Sequence, residues 1–252
     1  MKNICTKLKP ILSPKGSLPF YYSKEDLAVW KILLTQQLPL VRAVACPEYI
    51  EGLEKLNFLP DHIPSIDEMS KKLMQLSGWS LEPVDILVPS QAFFEMLAQK
   101  RYPTIRIIRR KEEINFYTNE APDVFHEYFG HGPMLAHEKY SECMRLFGEY
   151  AQNCTDEILT KLNKIFWATF EFGLVKNNSG IKIYGAGILP SHQETMKIVN
   201  DNNLNLQKLD ISTNLASSLQ GNISQPIYYY VESLDCLHNI IRNDLYHLIK
   251  HG

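Results

Sequence analysis

Two histidines and one glutamate are the residues of this chain best suited to do chemistry. His126 and His131 lie in the segment 122–133, and Glu171 is a lone carboxylate inside the apolar stretch 165–172. Imidazole nitrogen and carboxylate oxygen together suit a first-row divalent metal. Two histidines and one carboxylate on one face of an iron leave positions open for oxygen and substrate. The residue types therefore predict a catalytic metal.

The spacing of the two histidines predicts how the chain delivers them. His131 follows His126 by five positions, which is about 140° around an α-helix of 3.6 residues per turn. One helix face cannot hold both rings, and Gly130 with the Gly132-Pro133 pair favours a helix end. We therefore expect the helix that carries His126 to end before His131, so that the second imidazole comes from a turn. The spacing also differs from the i, i+4 histidine pair of zinc proteases.

Glu171 gives the third argument for a metal. An ionised carboxylate among the aromatic residues of 166–172 is expensive to bury without a cation or hydrogen-bond donors, and a metal would satisfy it. The alternative is an ordinary solvated stripe of Glu171, Trp167 and Lys164, with both histidines on the surface. Spacing alone leaves both interpretations open, because a histidine pair is a motif of low specificity.

The elements that must position these residues are predicted to be mainly helical. Ser23 and Ser65 each precede an acidic residue by three positions at the start of an apolar stripe, which is typical of a helix cap, and Ser90 is predicted to cap a third helix. A long helix is predicted over 156–174, where the apolar residues keep one face. Short strands or extended runs are predicted at 101–108, 181–184 and 226–231.

Composition limits the class of partner. The 252 residues are 45% hydrophobic, and 26 basic and 28 acidic residues give a formal net charge of -2. Such a chain can build a substantial core, and the sequence carries no internal repeat or charge block, so one compact domain is expected. The even charge distribution predicts neither nucleic acid nor an anionic membrane as a partner. A small molecule is the expected ligand.

Cysteine usage and the N-terminal sequence predict a cytoplasmic protein. The five cysteines are odd in number and widely spaced, which favours neither a disulfide framework nor a CxxC site. The first 20 residues carry lysines and Pro10 where a signal peptide would need an unbroken apolar core, and no apolar stretch approaches membrane-spanning length.

Three ordered sequence blocks resemble the aromatic amino acid hydroxylases, most closely in their bacterial phenylalanine hydroxylase form. The blocks are PDVFHEYFGHGP at 122–133, WATFEFGL at 167–174 and IYGAGIL at 183–189. The resemblance implies a mainly α fold with a few short strands, as a single catalytic domain at 22–252 after an N-terminal extension at 1–21. It also implies a monomer or small homo-oligomer, since neither a regulatory domain nor a tetramerising helix has room in this sequence.

The resemblance implies a tetrahydropterin-dependent monooxygenase with Fe(II) on His126, His131 and Glu171. Tetrahydrobiopterin or a related tetrahydropterin is the expected cofactor, and dioxygen and an aromatic amino acid are the expected substrates. Oxygen is divided between the pterin and the ring of the amino acid, most consistently in the conversion of L-phenylalanine to L-tyrosine.

The same resemblance assigns binding roles. Phe93 is expected to stack on the pterin and Glu127 to hydrogen-bond it, although Phe93 taken alone would favour core packing. Arg109 is expected to bind the substrate carboxylate through two parallel hydrogen bonds. The expected pterin-binding residues are Leu87, Val88, Ser90, Phe93, Glu127 and Phe166. The expected substrate-binding residues are Arg109, Pro122, Trp167, Ser191 and Tyr230.

The chain departs from the family pattern in two places. Pro190 stands where the family usually has a serine, and a proline side chain has no hydroxyl to orient His126 or the substrate. Ser191 is our hypothesis for the residue that substitutes. Between Arg109 and Asp123 the chain carries two more residues than its relatives, so no role is carried over to residues 117–119.

Three alternatives follow from the same residues. The first is hydroxylation of tryptophan or tyrosine in the same active site. The second is a zinc hydrolase with Glu127 as its base, for which the histidine spacing is wrong. The third is a non-catalytic metal-binding protein on an inherited scaffold, with Pro190 as a sign of lost activity.

Overall fold

Helices form most of the computed structural model, which describes residues 20–114, 122–178, 180–211 and 227–251. Three segments of these residues are π-helical: π1 His126–His131, π2 Trp167–Glu171 and π3 Ile240–Leu245. A short 3-10 turn lies at Lys111–Glu113. The α-helices are α1 Lys24–Val44, α2 Pro47–Leu56, α3 Ile66–Leu76, α4 Ser90–Ala98, α5 Gly132–Leu135, α6 Glu138–Tyr150, α7 Asp156–Phe166, α8 His192–Asn200, α9 Leu234–Asn239 and α10 Tyr246–His251.

Two small sheets complete the fold. In the first, two parallel strands pair from Ser80↔Arg101 to Val84↔Ile105, with α4 as the crossover between them. The second sheet has four strands, in the order Gly180–Ile183, Leu174–Asn177, Tyr228–Val231 and Leu206–Lys208. The first two of these strands are antiparallel, and the other neighbouring pairs are parallel. The predicted mainly α class with a few short strands is confirmed. The strands are β1 Ser80–Val84, β2 Arg101–Ile105, β3 Leu174–Asn177, β4 Gly180–Ile183, β5 Leu206–Lys208 and β6 Tyr228–Val231.

The structure confirms two of the three predicted helix caps. The Ser23 and Ser65 side chains each accept from the third backbone N–H of their helix, and Asp26 and Glu68 complete the capping boxes. The Ser90 cap is wrong. Helix α4 already includes Ser90, Pro89 precedes it, and the Ser90 hydroxyl accepts a hydrogen bond from Asn163 instead.

The predicted long helix at 156–174 is real but ends earlier. It runs as α7 and continues without a break into π2, which ends at Glu171, and Leu174 already pairs in β3. Two predicted strands also shorten or shift at their ends, to Arg101–Ile105 and Gly180–Ile183. The run predicted at 226–231 is Tyr228–Val231, and residue 226 lies outside the described residues.

An aromatic core lies behind π1 and fixes its position. Trp30 of α1 packs edge-on against Phe125, with ring centroids 5.4 Å apart, and Phe125 stacks on Phe129 at 4.8 Å. Helix α2 approaches from another side, where a side chain at Gly52 would collide with the Pro133 backbone. The helix that carries both histidines is therefore fixed by close packing. Among the described residues, no helix has the length and apolar character needed to span a membrane.

Candidate metal centre and active-site cavity

The two histidines lie on one π-helix, which corrects the prediction of a helix end between them. π1 runs from His126 to His131 and continues directly into α5, and the Gly132 N–H donates to the Glu127 carbonyl five residues earlier. Because a π-helix hydrogen-bonds with i→i+5 spacing, residues five apart lie one above the other. The five-residue spacing, which would separate the two rings on an α-helix, therefore brings both imidazoles to one face of this π-helix.

Asp123 caps the helix that carries the histidines. Its Oδ1 accepts from the His126 backbone N–H at 3.0 Å, three residues on, as a helix cap does. The same carboxylate pairs with Arg109, whose Nε lies 2.7 Å from Oδ2 and whose Nη2 lies 2.9 Å from Oδ1. Burial opposes ionisation of Asp123, but the Arg109 guanidinium outweighs it and holds the Asp123 pKa below its usual value.

A glycine-containing loop holds the end of π2, which carries Glu171. The Ala186 N–H donates to the Phe170 carbonyl at 2.9 Å, and the Gly187 N–H donates to the Glu171 carbonyl at 2.8 Å. On its other side this loop contacts π1, where a Cβ on Gly130 would lie 2.7 Å from the Ala186 carbonyl oxygen and 3.2 Å from Pro190. The loop is therefore packed between the two ligand-bearing π-helices and sets their separation.

The three candidate ligands converge on one point. One ligand atom from each of His126, His131 and Glu171 lies within 4.8 Å of the others. The His131 Nε2 atom is 3.1 Å from Glu171 Oε1 and 3.2 Å from His126 Nε2, and His126 Nε2 is 3.8 Å from Glu171 Oε2. Ligands on one face of an octahedral ion with bonds of about 2.1 Å lie about 3 Å apart. The donor set and its spacing therefore fit a divalent iron.

The protonation states also suit a metal. Burial lowers the His126 pKa to about 4, so this imidazole is neutral near pH 7 and can ligate. Burial opposes ionisation of Glu171, but the adjacent His131 and His126 outweigh it and hold the Glu171 pKa below its usual value. Tyr102 covers the fully buried His131, with ring centroids 4.8 Å apart. Aromatic packing thus orients this ring.

A cavity of about 330 Å³ opens beside His126 and Glu171. Most of its wall is apolar, as expected for a small-molecule site. The further lining residues are Val84, Leu87, Val88, Ser90, Phe93, Tyr102, Pro103, Ile105, Pro122, Glu127, Asn163, Phe166 and Trp167.

Glu127 is a buried acid in the cavity wall. Burial, followed by the charge of Glu171, raises the Glu127 pKa well above its usual value. Its Oε2 atom is buried and has no hydrogen-bond partner among the described residues. A protonated carboxyl can donate one hydrogen bond and accept others, so this group fits a heterocyclic ligand that offers both kinds of partner.

A sequence model of the biopterin-dependent aromatic amino acid hydroxylases matches residues 17–250. The chain belongs to this family. Phenylalanine-4-hydroxylase of Pseudomonas aeruginosa is 34% identical over 229 residues, which are 91% of this chain and 86% of that protein. The corresponding enzyme of Vibrio cholerae is 34% identical over 228 residues, which are 90% of this chain and 78% of that protein.

Solved structures of family members share the fold. The apo structure of the cold-active phenylalanine hydroxylase from Colwellia psychrerythraea has a TM-score of 0.86 and 34% identity, over 92% of this chain and 90% of that one. The Chromobacterium violaceum phenylalanine hydroxylase with bound iron(III) and 7,8-dihydrobiopterin has a TM-score of 0.83 and 31% identity, over 92% of this chain and 84% of that one.

The structure brings most of the predicted hydroxylase residues to one place. Trp167 lies in the wall with its ring stacked on Phe172 at 5.6 Å. Glu171, His126 and His131 are all buried, which excludes the alternative of a solvated Glu171 with both histidines on the surface. The other predicted binding residues in the wall are Leu87, Val88, Ser90, Phe93, Pro122, Glu127 and Phe166.

Three predicted substrate residues do not line the cavity. Arg109 pairs with Asp123, which follows the lining residue Pro122 in the chain. The Ser191 hydroxyl caps α8, where it accepts a hydrogen bond from the Glu194 N–H. Tyr230 is turned to a separate surface groove, where the Lys176 ammonium lies 5.1 Å from its ring. The predicted substrate roles of Arg109, Ser191 and Tyr230 stay predictions. Residues 117–119 lie outside the described residues.

Sequence reasoning missed two residues that contribute to the hydroxylase site. Asp123 had a usable signal, since an aspartate three positions before His126 is typical of a helix cap. Tyr102 had none, because it reaches the site through packing between distant segments.

Proposed function

We propose that this chain is a phenylalanine 4-hydroxylase, which uses Fe(II), a tetrahydropterin and dioxygen to convert L-phenylalanine to L-tyrosine. The single observation that carries the proposal is the convergence of His126, His131 and Glu171 at the edge of an apolar cavity that is also lined by the buried Glu127. The bacterial relatives that match over most of this chain are phenylalanine hydroxylases.

Iron would be held by the two imidazole Nε2 atoms and the Glu171 carboxylate, all on one side. When bound, iron and tetrahydropterin together activate dioxygen, one atom of which goes to the pterin and the other to the aromatic ring. The chain contributes rigidity, since Asp123 caps π1 and the loop at Ala186 and Gly187 holds π2. A ligand set that does not reorganise would hold the iron with positions left for oxygen and substrate.

The pterin would lie against the wall formed by α4 and α7. Phe93 and Phe166 meet there edge-on, with ring centroids 5.1 Å apart, and present apolar surface to a flat ring. Glu127 supplies the polar contact, because its protonated carboxyl can donate to a ring nitrogen or oxygen and accept from an amino group.

The amino acid substrate would lie between Trp167, Pro122 and the Arg109–Asp123 pair. Asp123 holds the Arg109 guanidinium in a fixed plane through two hydrogen bonds, and a fixed guanidinium binds a carboxylate with less loss of entropy. The side chain of a bound phenylalanine would then extend toward the apolar part of the wall at Trp167. We propose Arg109 as the carboxylate anchor.

The alternatives fit the site less well. A zinc hydrolase of the known helical pattern carries its two histidines four positions apart, whereas His126 and His131 are five apart. Burial and the charge of Glu171 also raise the pKa of Glu127, which disfavours it as an ionised base. Tyrosine 3-monooxygenase of Rattus norvegicus is also a relative, at 30% identity, but this chain covers 45% of its length against 86% of the Pseudomonas enzyme. The bacterial relatives that match over most of both chains are phenylalanine hydroxylases, which favours the phenylalanine reaction.

One assay tests the function. The pure protein is incubated with Fe(II), tetrahydrobiopterin, oxygen and, separately, phenylalanine, tyrosine or tryptophan, and products are identified by mass spectrometry. We expect tyrosine from phenylalanine at a higher kcat/KM than any product from the other two, and none from the E171Q variant. Equal activity after replacement of iron by zinc, or no ring hydroxylation of any of the three, would overturn the proposal.

We also propose that residues 22–252 form one catalytic domain that acts in the cytoplasm as a monomer or small homo-oligomer. The shared hydrophobic core of the described residues supports the single domain, and the free state of Cys46, Cys143, Cys154 and Cys236 supports a reducing compartment. Light scattering coupled to gel filtration measures the oligomeric state.

A further inference from the structure

A buried chain of hydrogen bonds ties helix α1 to the loop that holds π2. The Gln37 Nε2 atom on α1 donates to the Leu189 carbonyl at 2.6 Å and to the Thr195 Oγ1 atom at 3.1 Å. The Thr195 hydroxyl in turn donates to the Ile188 carbonyl at 2.9 Å. Both side chains are buried. The Gln37 amide keeps one orientation, because rotation would leave a buried donor unpaired.

This hydrogen-bonded chain meets the loop between the two places where the loop contacts the ligand-bearing helices. On one side, the Ala186 and Gly187 N–H groups hold the end of π2. On the other side, the loop contacts π1, where a Cβ on Gly130 would lie 3.2 Å from the Pro190 Cγ atom. A loop that contains glycine has little rigidity of its own. Its position between the two π-helices therefore depends on the side chains that anchor its carbonyls.

Helix α1 also contacts the segment that leads into π1. Trp30 packs edge-on against Phe125, the residue directly before His126, with ring centroids 5.4 Å apart. Gln37 follows Trp30 by seven positions, about two helical turns, so the two side chains share one face of α1. One face of a single helix thus contacts the start of π1 and the loop that holds π2.

We propose that Gln37 and Thr195 are positioning residues that fix the distances between the three metal ligands. Neither side chain lines the cavity, so both act through the loop. The chain also lacks a hydroxyl at Pro190 that could orient His126, which leaves the anchored loop to hold π1 by packing. This inference rests on the proposed function, since it concerns the ligands of the proposed iron.

Cobalt spectroscopy tests the inference without turnover. Co(II) binds to imidazole and carboxylate ligands, and its visible absorption reports the number and arrangement of those ligands. Q37M and T195V replace each polar group by an apolar one of similar size, whereas T195S keeps the hydroxyl. We expect Q37M and T195V to shift the Co(II) absorption bands and to weaken Co(II) binding about tenfold. T195S should keep the wild-type spectrum and affinity.

A matched control separates positioning from stability. S141A removes another buried hydroxyl, which donates to the Glu138 carbonyl on α6. The free energy of unfolding of each variant is measured in urea. We expect S141A to lose stability as T195V does, yet to keep the wild-type Co(II) spectrum and affinity.

Steady-state assays give a second measurement that a loss of stability alone would not move. Q37M and T195V should lower kcat about tenfold, because they change the arrangement of the metal ligands. The KM values for phenylalanine and for tetrahydrobiopterin should change less than about twofold, because the cavity wall is unaltered. The double variant should lose no more than the more damaged single variant, since both residues belong to one hydrogen-bonded chain.

The outcomes separate this inference from the function on which it rests. If Q37M and T195V keep the wild-type Co(II) spectrum and affinity, or if S141A changes them equally, the two residues merely stabilise the fold and the inference is wrong. The inference is also wrong if T195S behaves as T195V does, because the hydroxyl is then not responsible. If the wild type binds neither Fe(II) nor Co(II) and forms no tyrosine, the proposed function itself fails.

Discussion

At the level of single residues, the charge of Glu171 depends on its surroundings. Burial disfavours the carboxylate, and the two adjacent histidines favour it strongly enough to lower the Glu171 pKa. The reverse holds one helix away at Glu127, where burial and the Glu171 charge raise the pKa and favour the neutral acid. The pKa values of two buried glutamates in one site are thus shifted in opposite directions, one toward the form that binds a cation and one toward the form that donates a hydrogen bond.

Replacing Glu171 by glutamine should abolish tight iron binding. The change keeps the shape but removes the negative charge, and loss of even an outer-shell partner of a metal ligand lowers affinity 10- to 100-fold. We expect a loss of more than about 100-fold for E171Q, measured by chelator competition and metal analysis. E157Q makes the same change on an exposed carboxylate and should bind iron normally. Retention of iron within tenfold in E171Q would refute the ligand assignment.

Buried thiols give a second prediction at this level. Burial raises the pKa of Cys46 and of Cys143 to about 12, so at pH 8 only about one in 10⁴ of these thiols is ionised and reactive. Iodoacetamide should therefore label the half-buried Cys236 in native protein and spare Cys46 and Cys143 until urea is added, as read by peptide mass mapping. Labelling of Cys143 as fast as Cys236 would contradict this prediction.

The raised pKa values of these two thiols also predict a pH dependence of stability. Because the folded pKa exceeds the unfolded one, the free energy of unfolding should fall as pH rises above about 8.5.

At the level of elements, local signals could be read from the sequence and tertiary ones could not. The capping boxes at Ser23 and Ser65 lie within four residues, so the sequence contains all of their partners. The two π-helices that carry the ligands instead have hydrogen-bond partners from distant parts of the chain. The Phe129 carbonyl of π1 accepts from the Tyr49 hydroxyl at 2.6 Å, and the carbonyls of π2 accept from the loop at Ala186.

The surroundings of two predicted substrate residues could not be read from the sequence for a similar reason. Ser191 is adjacent to the departure at Pro190, yet helix α8 uses its hydroxyl as a cap. The side chain of Tyr230 is directed by its register against Leu174 in the sheet. Sequence blocks therefore located the ligands and most of the cavity wall, while the direction of each side chain at the rim depended on pairing and caps.

Gly130 and Gly132 flank His131 and offer a matched pair of substitutions. A Cβ at Gly130 would lie 2.7 Å from the Ala186 carbonyl oxygen, whereas one at Gly132 would meet the flexible end of Leu56 at 3.2 Å. Overpacking against backbone typically costs 1–3 kcal/mol, and alanine is otherwise favoured over glycine in a helix. We expect G130A to lower the free energy of unfolding by about 2 kcal/mol relative to G132A, in urea titrations of metal-free protein.

G130A should also weaken iron binding more than G132A does, because the Ala186 loop that it displaces packs on both π-helices. Equal stability and equal iron affinity of the two variants would show that this loop does not set the distance between the ligands.

At the level of the whole molecule, the metal centre joins two segments that are distant in the chain. π1 and π2 are separated by α5, α6 and α7 in the chain, and they meet at the ligand cluster and at the loop between them. Without a cation, two imidazoles and a carboxylate are held within hydrogen-bond distance in a buried place. Iron binding should therefore stabilise the whole domain, since the unfolded chain offers no such site.

Removal of the metal should lower the midpoint of thermal unfolding by several degrees. A ligand at 100 times its dissociation constant adds about 2.7 kcal/mol to stability, and in a domain of this size each kcal/mol shifts the midpoint by about 2–4 °C. Calorimetry under argon should thus show a rise of about 5–10 °C when Fe(II) is added to chelator-treated protein. Mg²⁺ prefers oxygen ligands and should give no rise, and neither should Fe(II) added to E171Q. A rise of equal size with Mg²⁺, or in E171Q, would place the stabilising ion somewhere other than the two-histidine, one-glutamate site.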